Sequence, residues 1–568
     1  MVYTSGWPVV EGNQAFWLQT NNVADGYQSQ TISQTLSSTA VEGQTYVLNF
    51  AVTCEYGWGT PNITAKILIN GVIKSSKTIS NVPAGAGWLF YSTPAYTAAA
   101  ADAGKSLSVQ FYFENLGDPV WHAKTYLDAI SLTDAPQPYI AIQTRPSKIH
   151  QLIGDWDKER NQPTLNRTGV LYGLPMTDLG TPFSHNGRTY IVFGDSWNAG
   201  DDDPIAYSED TNLEDGLSLT FLQNPNGTYR PVTIPGISLQ GYEVPMEGVS
   251  VNGKMYVYAT TDHSQYVTMG RSVLAVSNNN GYNFSYLYDL SVDHFINVSV
   301  VKVDSSQWQG FPLSEGEGLV MFGSGIYRES NVKLAFQPAS QIETKNVIRY
   351  FAGLDAGDIP IWSTNESDAI DLFNQPSIGE LSVSYNKFIK RWIMLYNDFT
   401  FYRGINMRTA KYPWGPWSPP QVIFEPWADN GYCHFMHASW EDDNPHCDSV
   451  HDTGRQNIWG GEYGPYQFED FATGNACSTT IYFTMSTWNP YTVVLMKATL
   501  GKTSPDSMDY MADYNRDNSV DFQDYAELAA NWFLSEPTVD LAPQPCGDGF
   551  IDIEDFAAFI SSWLNSSN

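Results

Sequence analysis

Apolar and polar residues alternate in short runs through the first part of the chain. Thr45-Tyr46-Val47-Leu48-Asn49-Phe50, Ile63-Thr64-Ala65-Lys66-Ile67-Leu68-Ile69 and Leu107-Ser108-Val109-Gln110-Phe111-Tyr112-Phe113 each send alternate side chains to one face. That is the period of a strand with one buried side. Turn pairs such as Asn70-Gly71 separate the runs, as hairpins require. Residues 1–134 therefore read as a two-sheet β-sandwich, and Pro136, Pro138 and Pro146 mark a linker over 135–148.

From residue 149 to 500 the strands lengthen, and one unit recurs: a strand, a turn, then a very apolar strand. The first copy is Met176-Thr177-Asp178-Leu179-Gly180 followed by Tyr190-Ile191-Val192-Phe193-Gly194-Asp195. The next three pair Met246-Glu247-Gly248-Val249-Ser250 with Met255-Tyr256-Val257-Tyr258, Ile296-Asn297-Val298-Ser299 with Leu319-Val320-Met321-Phe322-Gly323, and Gly379-Glu380-Leu381-Ser382-Val383 with Trp392-Ile393-Met394-Leu395-Tyr396-Asn397-Asp398. The fifth joins Met436-His437-Ala438-Ser439-Trp440 to Thr480-Ile481-Tyr482-Phe483-Thr484-Met485. Five copies at roughly 70 residues each suit a five-bladed β-propeller of four-stranded blades. Ser277-Asn278-Asn279-Asn280-Gly281-Tyr282-Asn283-Phe284 resembles a worn Asp-box turn of sialidase-type propellers, a structural feature that implies the fold and no activity.

After a second linker, 501–508, the composition changes. Ser504 to Asn568 holds 13 acidic residues and one base, Arg516, a net of −12. Asp513, Asn515, Asp517, Ser519, Asp521 and Asp524 supply oxygen atoms at loop positions 1, 3, 5, 7, 9 and 12, the spacing that a hard cation such as Ca²⁺ demands, with position 7 contributing its backbone carbonyl. A helix follows, and 31 residues later Asp552 and Asp555 precede a second one, with Trp532 matched by Trp563. This duplication resembles a type I dockerin over residues 509–568. The resemblance implies structural Ca²⁺, a cohesin-bearing scaffold or cell-surface protein as partner, and a secreted or cell-surface bacterial location. The second loop departs from the pattern: Gln544 and Cys546 stand where acids are expected, and Asp540, Asp548, Asp552 and Asp555 form the candidate reshaped site.

The chain has 568 residues with a net charge of −32. That balance argues against nucleic acid, which needs clustered Lys and Arg. No apolar run is long enough for a membrane-spanning helix. Aromatic residues make up 14%, enough to build large cores. Five cysteines form no disulfide framework; among Cys433, Cys447 and Cys477 one bridge or buried free thiols are equally expected. No signal peptide opens the sequence, because Met1 runs at once into the strand-like Val2-Tyr3-Thr4-Ser5-Gly6-Trp7.

In a propeller the innermost strand of each blade lines one channel. The repeat then delivers Asp178, Glu247, Asn297, Glu380 and His437 to a single space. Clustered carboxyls raise one another's pKa, and an acid poised beside an ionised base is what glycosidic cleavage requires. Gly173-Leu174-Pro175-Met176-Thr177-Asp178-Leu179-Gly180-Thr181-Pro182-Phe183, the run Tyr190 to Trp197, and Ile205-Ala206-Tyr207-Ser208-Glu209-Asp210 before Asp215-Gly216-Leu217 resemble the domain of unknown function 4185, some of whose members are classed as glycoside hydrolase family 183, endo-D-arabinanases. The resemblance implies a five-bladed propeller that cleaves arabinofuranose-type polysaccharide, with Asp178 and Asp195 as the acid and base or nucleophile. Glu247 and Glu380 are alternatives for the acid or tuners of it. Asn297 and His437 are expected to bind sugar hydroxyls; Trp197, Tyr242 and Trp440 to stack on sugar faces; Asp398 is a weaker candidate. No cofactor is expected for catalysis. The acid run Asp201-Asp202-Asp203 reads as a solvated loop, a cation grip being the alternative. The sandwich resembles galactose-binding-like jelly rolls through Gly12-Asn13-Gln14-Ala15, Ile32-Ser33-Gln34-Thr35-Leu36 and Tyr126-Leu127-Asp128-Ala129-Ile130-Ser131-Leu132; that resemblance implies a carbohydrate-binding-like domain, in which Trp7, Trp17, Trp58, Trp88 and Trp121 stack on sugars or, for most of them, pack in the core.

Two other readings compete. A polysaccharide lyase needs a Tyr or His base beside a charge neutraliser. A non-catalytic glycan-binding scaffold protein predicts binding with no new reducing ends.

Overall fold

The structure is a computed structural model. It describes residues 2–3, 15–19, 29–54, 61–80, 89–115, 124–133, 140–197, 200, 202–264, 268–355, 357, 359–398, 404–441, 446–502, 520–532 and 551–566. Two compact units form: Met1–Tyr139 with Ser418–Val422, and Ile140–Trp417 with Ile423–Asn568.

The first unit is mainly β, as the alternation predicts. One sheet runs in the order Val2–Tyr3, Ala15–Gln19, Lys124–Thr133, Thr45–Cys54, Leu89–Ser92, with Tyr96–Thr97 also paired to Thr45–Cys54. The other runs Ser29–Thr39, Ser106–Asn115, Pro61–Ile69, Val72–Ile79. Leu48, Phe50 and Val52 from the first meet Ile63, Ala65, Ile67, Phe111 and Phe113 from the second in one core. Asn70 and Gly71 make the tight turn at φ +50° and +77°, the left-handed pair that a two-residue hairpin takes. Of the five tryptophans of this region, Trp7, Trp58, Trp88 and Trp121 lie outside the described residues, and Trp17 is placed on the strand Ala15–Gln19.

Among its described residues the second unit holds five antiparallel sheets of four or more strands, besides the two-stranded pair Trp156–Asp157 and Gln162–Pro163. The first is Leu179–His185, Arg188–Phe193, Ile205–Ser208, Thr220–Phe221; the second Pro245–Val251, Lys254–Thr261, Arg271–Ser277, Ser285–Ser291. The third is Asn297–Asp304, Glu317–Ser324, Val332–Pro338, Arg349–Leu354, Pro360–Ser363; the fourth Ile378–Asn386, Arg391–Asp398, Ile405–Ala410, Gln421–Phe424. The fifth runs Glu462–Gln467, Ser478–Trp488, Tyr491–Lys502 and finally Ile140–Gln151, a strand from the start of the unit. The first-named strand of each sheet touches that of the next, and the fifth touches the first. Among the described residues no sheet closes on itself; the five close a ring by packing.

The ring has one apolar core at each junction. Tyr190 and Val192 pack with Val257 and Val273 of the second sheet, while Ile191 and Phe193 between them pack with Val493 and Leu495 of the fifth. Three more cores join second to third, third to fourth and fourth to fifth. This explains the very apolar second strand of the repeat: it is buried on both faces, so its alternation vanishes. The worn Asp-box joins the third and fourth strands of the second sheet. There Ser277 Oγ accepts the Gly281 N–H (2.9 Å) and Asn279 Oδ1 accepts the Asn283 N–H (2.9 Å).

Two expectations are corrected. The linker over 135–148 is in part the strand Ile140–Gln151, and Pro146 is tolerated because this is the outer strand and its register shifts between Thr144 and Ser147. The fifth inner strand is Glu462–Gln467, and Met436–Trp440 belongs to a connecting loop. Gly464, at φ +60°, and Pro465 interrupt the apolar pattern there. They also shift the register between Tyr463 and Tyr466, so the segment does not look like a strand.

Gly248, on the second inner strand, faces the first sheet. A Cβ there would sit 2.3 Å from the Phe183 ring, an overpacking that costs about 1–3 kcal/mol. Gly248→Ala should therefore lower the thermal unfolding midpoint by several degrees; an unchanged midpoint would mean that the first two sheets do not pack as described.

Candidate active site

Asp178 immediately precedes the first inner strand, and Asp195 lies two residues past the second strand. The Gly194 N–H donates to the Asp178 carbonyl (3.0 Å), tying the two strand ends together. A Cβ on Gly194 would lie 2.3 Å from Asp178 Oδ1, so only glycine leaves room for that carboxyl. Asp195 accepts the backbone N–H of Tyr242 through both oxygens (2.9 and 3.2 Å). Tyr242 itself sits at φ +69°, a conformation costly for an aromatic residue and characteristic of functional sites.

Asp178 and Asp195 line a cavity of about 100 Å³ with Tyr242, Asn297, Tyr327, Glu380 and Tyr466, and Leu179, Val244 and Met246 form part of its apolar wall. Asp178 is buried and Asp195 half-buried. Burial pushes the Asp178 carboxyl up to about 8, helped by the negative charges of Asp195 and Glu380 and opposed by Tyr491 and Tyr463. The Tyr463 phenol donates to Asp178 Oδ2 (2.9 Å). Burial, with the Asp178 charge, keeps the Tyr463 and Tyr491 phenols protonated far into alkaline pH. Glu380 accepts from the Tyr327 phenol, and Arg328 Nη2 lies 3.8 Å away. The other Glu380 oxygen is buried with no hydrogen-bond partner. Asn297 donates to the Gly325 carbonyl (3.3 Å) from the same wall. Asp178, Asp195, Glu380 and Asn297 are thus brought together.

Five predicted residues are placed elsewhere. Glu247 lines a second cavity, about 210 Å³, at the far ends of the inner strands, with Ser184, Ser250 and Lys302. Its carboxylate accepts from Gly248 N–H (2.9 Å), Ser299 Oγ (3.1 Å) and Val300 N–H (3.0 Å), so it tethers the second sheet to the third. Burial raises it to about 7 against those hydrogen bonds. His437 is wholly buried, with Nδ1 on Asp448 (2.5 Å) and Nε2 on the Gln456 carbonyl (2.7 Å); neither nitrogen is left for a sugar. Trp440 packs in that loop against His446 and His451 (4.9 Å each). Asp398 accepts from Gln375 (2.8 Å) and Ser377 (2.7 Å) in the interior. Trp197 stacks on Trp488 just outside the cavity lining.

The acid run also differs from expectation. Asp203 is 1% exposed, and neither carboxyl oxygen has a hydrogen-bond partner. Burial and the charges of Asp195 and Asp178 hold it well above the carboxylate range. The Val232 N–H on its carbonyl (2.8 Å) and the Pro204–Pro231 bridge fix the chain there. Asp201 lies outside the described residues.

Cys433 and Cys447 form a disulfide. With Asp448 they are the one group of three potential metal donors within mutual reach among the described residues, and their sulfurs are joined to each other. In the tail, Asp521 and Asp524 close a capping box on the helix Phe522–Ala530, and Asp552 and Asp555 repeat its bonds before Ile553–Ser566. Asp524 and Asp555 are fully buried. Asp513, Asn515, Asp517, Ser519, Asp540 and Asp548 lie outside the described residues. Among the described residues, no helix is long and apolar enough to cross a membrane.

The Asp178 shift has a consequence for stability. Its folded value, about 8, exceeds the ordinary 3.8. The native state therefore holds this proton while the unfolded state releases it, and stability falls as pH rises from about 4 to about 8. Asp178→Asn keeps a neutral group at every pH. Its melting temperature should match wild type near pH 4 and exceed it increasingly toward pH 8.5; a gap independent of pH would contradict the buried, proton-holding carboxyl.

No curated protein sequence matches the chain. Among solved structures, similarity is found to a putative hydrolase from Bacteroides ovatus (11% identity, TM-score 0.39, covering 58% of this chain and 87% of that one). A GH43_1 enzyme from Xanthomonas citri (13% identity, TM-score 0.32, 57% and 87%) and an exo-β-1,3-galactanase from Phanerochaete chrysosporium (9% identity, TM-score 0.33, 62% and 64%) are also similar. The family model described as "Domain of unknown function (DUF4185)" matches residues 164–497, the span that carries Asp178, Asp195, Glu380 and the ring of sheets apart from Ile140–Gln151 and the end of Tyr491–Lys502, and the chain belongs to that family.

Proposed function

We propose that this protein is a secreted or cell-surface glycoside hydrolase whose five sheets are the blades of a propeller. It cuts within an arabinofuranose-type polysaccharide resembling D-arabinan. The observation that carries the reading is the pair Asp178 and Asp195. Two carboxyls meet in one cavity, and burial beside the Asp195 charge pushes the proton affinity of Asp178 up. Asp178, desolvated and holding its proton near neutrality, is the general acid that protonates the departing glycosidic oxygen. Asp195, half-buried and fixed by the Tyr242 N–H, takes the other role, as base on a water or as nucleophile. Glu380, with an unfilled oxygen, and Asn297 bind the sugar hydroxyls or tune the acid.

The tail serves as an address label in this reading. Asp513, Asn515, Asp517, Asp521 and Asp524, with the Ser519 carbonyl, would hold one Ca²⁺; Asp540, Asp548, Asp552 and Asp555 would hold a second. The buried Asp524 and Asp555 fit, since each already turns its carboxylate back on the loop that precedes it. The ion would pin loop to helix and present a face to a cohesin on a scaffold or cell surface.

A panel of D-arabinan, L-arabinan and algal polysaccharides, scored for reducing ends and product size, tests the activity. Asp178→Asn and Asp195→Asn should each lower turnover on the order of 10²–10⁴-fold, and wild-type activity should decline as pH rises through about 8. Near-full turnover in both variants would overturn the assignment, ultraviolet-absorbing unsaturated products would indicate a lyase, and binding without cleavage a scaffold protein. Chelation should unfold the tail, read by circular dichroism, and leave hydrolysis unchanged.

A further inference from the structure

Beyond the cavity, at the same end of the ring, the second and third strands of the fifth sheet turn through a hairpin from Trp488 to Tyr491. The Tyr491 phenol faces Asp178. Its ring stands edge-on to two indoles, Trp197 (5.5 Å, 83°) and Trp488 (5.7 Å, 85°). Those indoles lie 5.8 Å apart with planes only 9° from parallel. One guanidinium, Arg455, rests against both, 4.4 Å from the Trp197 ring centre and 4.7 Å from that of Trp488.

Arg455 is 7% exposed. Its Nη1 donates to the Trp488 carbonyl (2.7 Å) and reaches Asp452 (3.4 Å), while Nε and Nη2 are buried without a hydrogen-bond acceptor. A desolvated cation so placed holds to the indole faces and fixes the two planes in one orientation. Trp488 is nonetheless 44% exposed. An exposed indole that is already immobilised binds without paying for its own ordering, and an apolar ring with polar surroundings suits the C–H face of a sugar.

We infer that Trp488, with Trp197 beside it, is a stacking platform for the sugar chain outside the bond-cutting cavity, with Arg455 as its rigid support. The inference rests on the glycosidase reading and makes the substrate an extended polymer rather than a chain end or a small glycoside. Only a chain running past the cavity reaches from Asp178, by way of Tyr491, to Trp488.

Trp488→Ala and Trp488→Phe test it, each checked for an unchanged melting profile. On the polysaccharide the wild type cuts, Trp488→Ala should raise KM on the order of tenfold, the size of one aromatic contact, with kcat nearly preserved. Trp488→Phe should recover most of the loss, and the shortest oligosaccharide still cut should be hydrolysed as by wild type. Equal KM on the polymer, or an equal loss on polymer and short substrate, overturns the platform. Should the wild type cut nothing, the glycosidase reading fails separately. Retardation of wild type and Trp488→Ala in gels containing each polysaccharide then decides: loss of retardation in the variant supports the platform, and equal or absent retardation overturns it.

Discussion

A strand buried on both faces cannot be repacked on one side alone. In the ring, Tyr190 and Val192 serve the core shared with the second sheet, while Ile191 and Phe193 serve the core shared with the fifth. Every core is thus common property of two sheets, and the five are coupled in series. Well-packed interiors resist continuous deformation. The ends of the inner strands are therefore held by the whole circuit, and that stiffness allows Asp178, Asp195 and Glu380 to be crowded together despite their repulsion.

The polar residues of the ring sort by whether the protein fills their hydrogen bonds. Glu247, His437 and Asp398 have theirs filled by neighbouring backbone and side chains. They hold sheets and loops in place. Glu380 and Asp203 keep buried oxygens with nothing to bind. A native interior seldom leaves such groups empty unless chemistry or a ligand needs them. Tyr463 and Tyr491 complete the arrangement. As phenols they donate to a carboxylate and cannot accept its proton, so they moderate the Asp178 shift without cancelling it.

Much of this was legible in the residues. Four inner strands and their apolar partners fall where the repeat places them, because period and turn pairs such as Asn186-Gly187 and Asn252-Gly253 are local properties. Asp178 and Asp195 were legible for the same reason: they flank one hairpin. The fifth blade was not, since Gly464 and Pro465 break its pattern, and Tyr463 and Tyr466 were lost with it. Nor does spacing tell on which end of a strand a residue emerges. Glu247 is the third residue of its strand and faces the opposite mouth, whereas Asn297 begins its own. Asp203 looked solvated because three consecutive acids usually are; only the folded chain shows that Pro204 and Pro231 draw the last of them inside.

The outermost strand of the fifth sheet, Ile140–Gln151, comes from the opposite end of the unit, and the family match begins only at residue 164. A protein trimmed to the matched span would lack its zip. What remains of the strand Tyr491–Lys502, up to Lys497, would then face water as a bare edge, ready to recruit a strand from another copy. The smallest sound recombinant piece of this ring is therefore set by the partner of its last strand and not by the reach of sequence similarity.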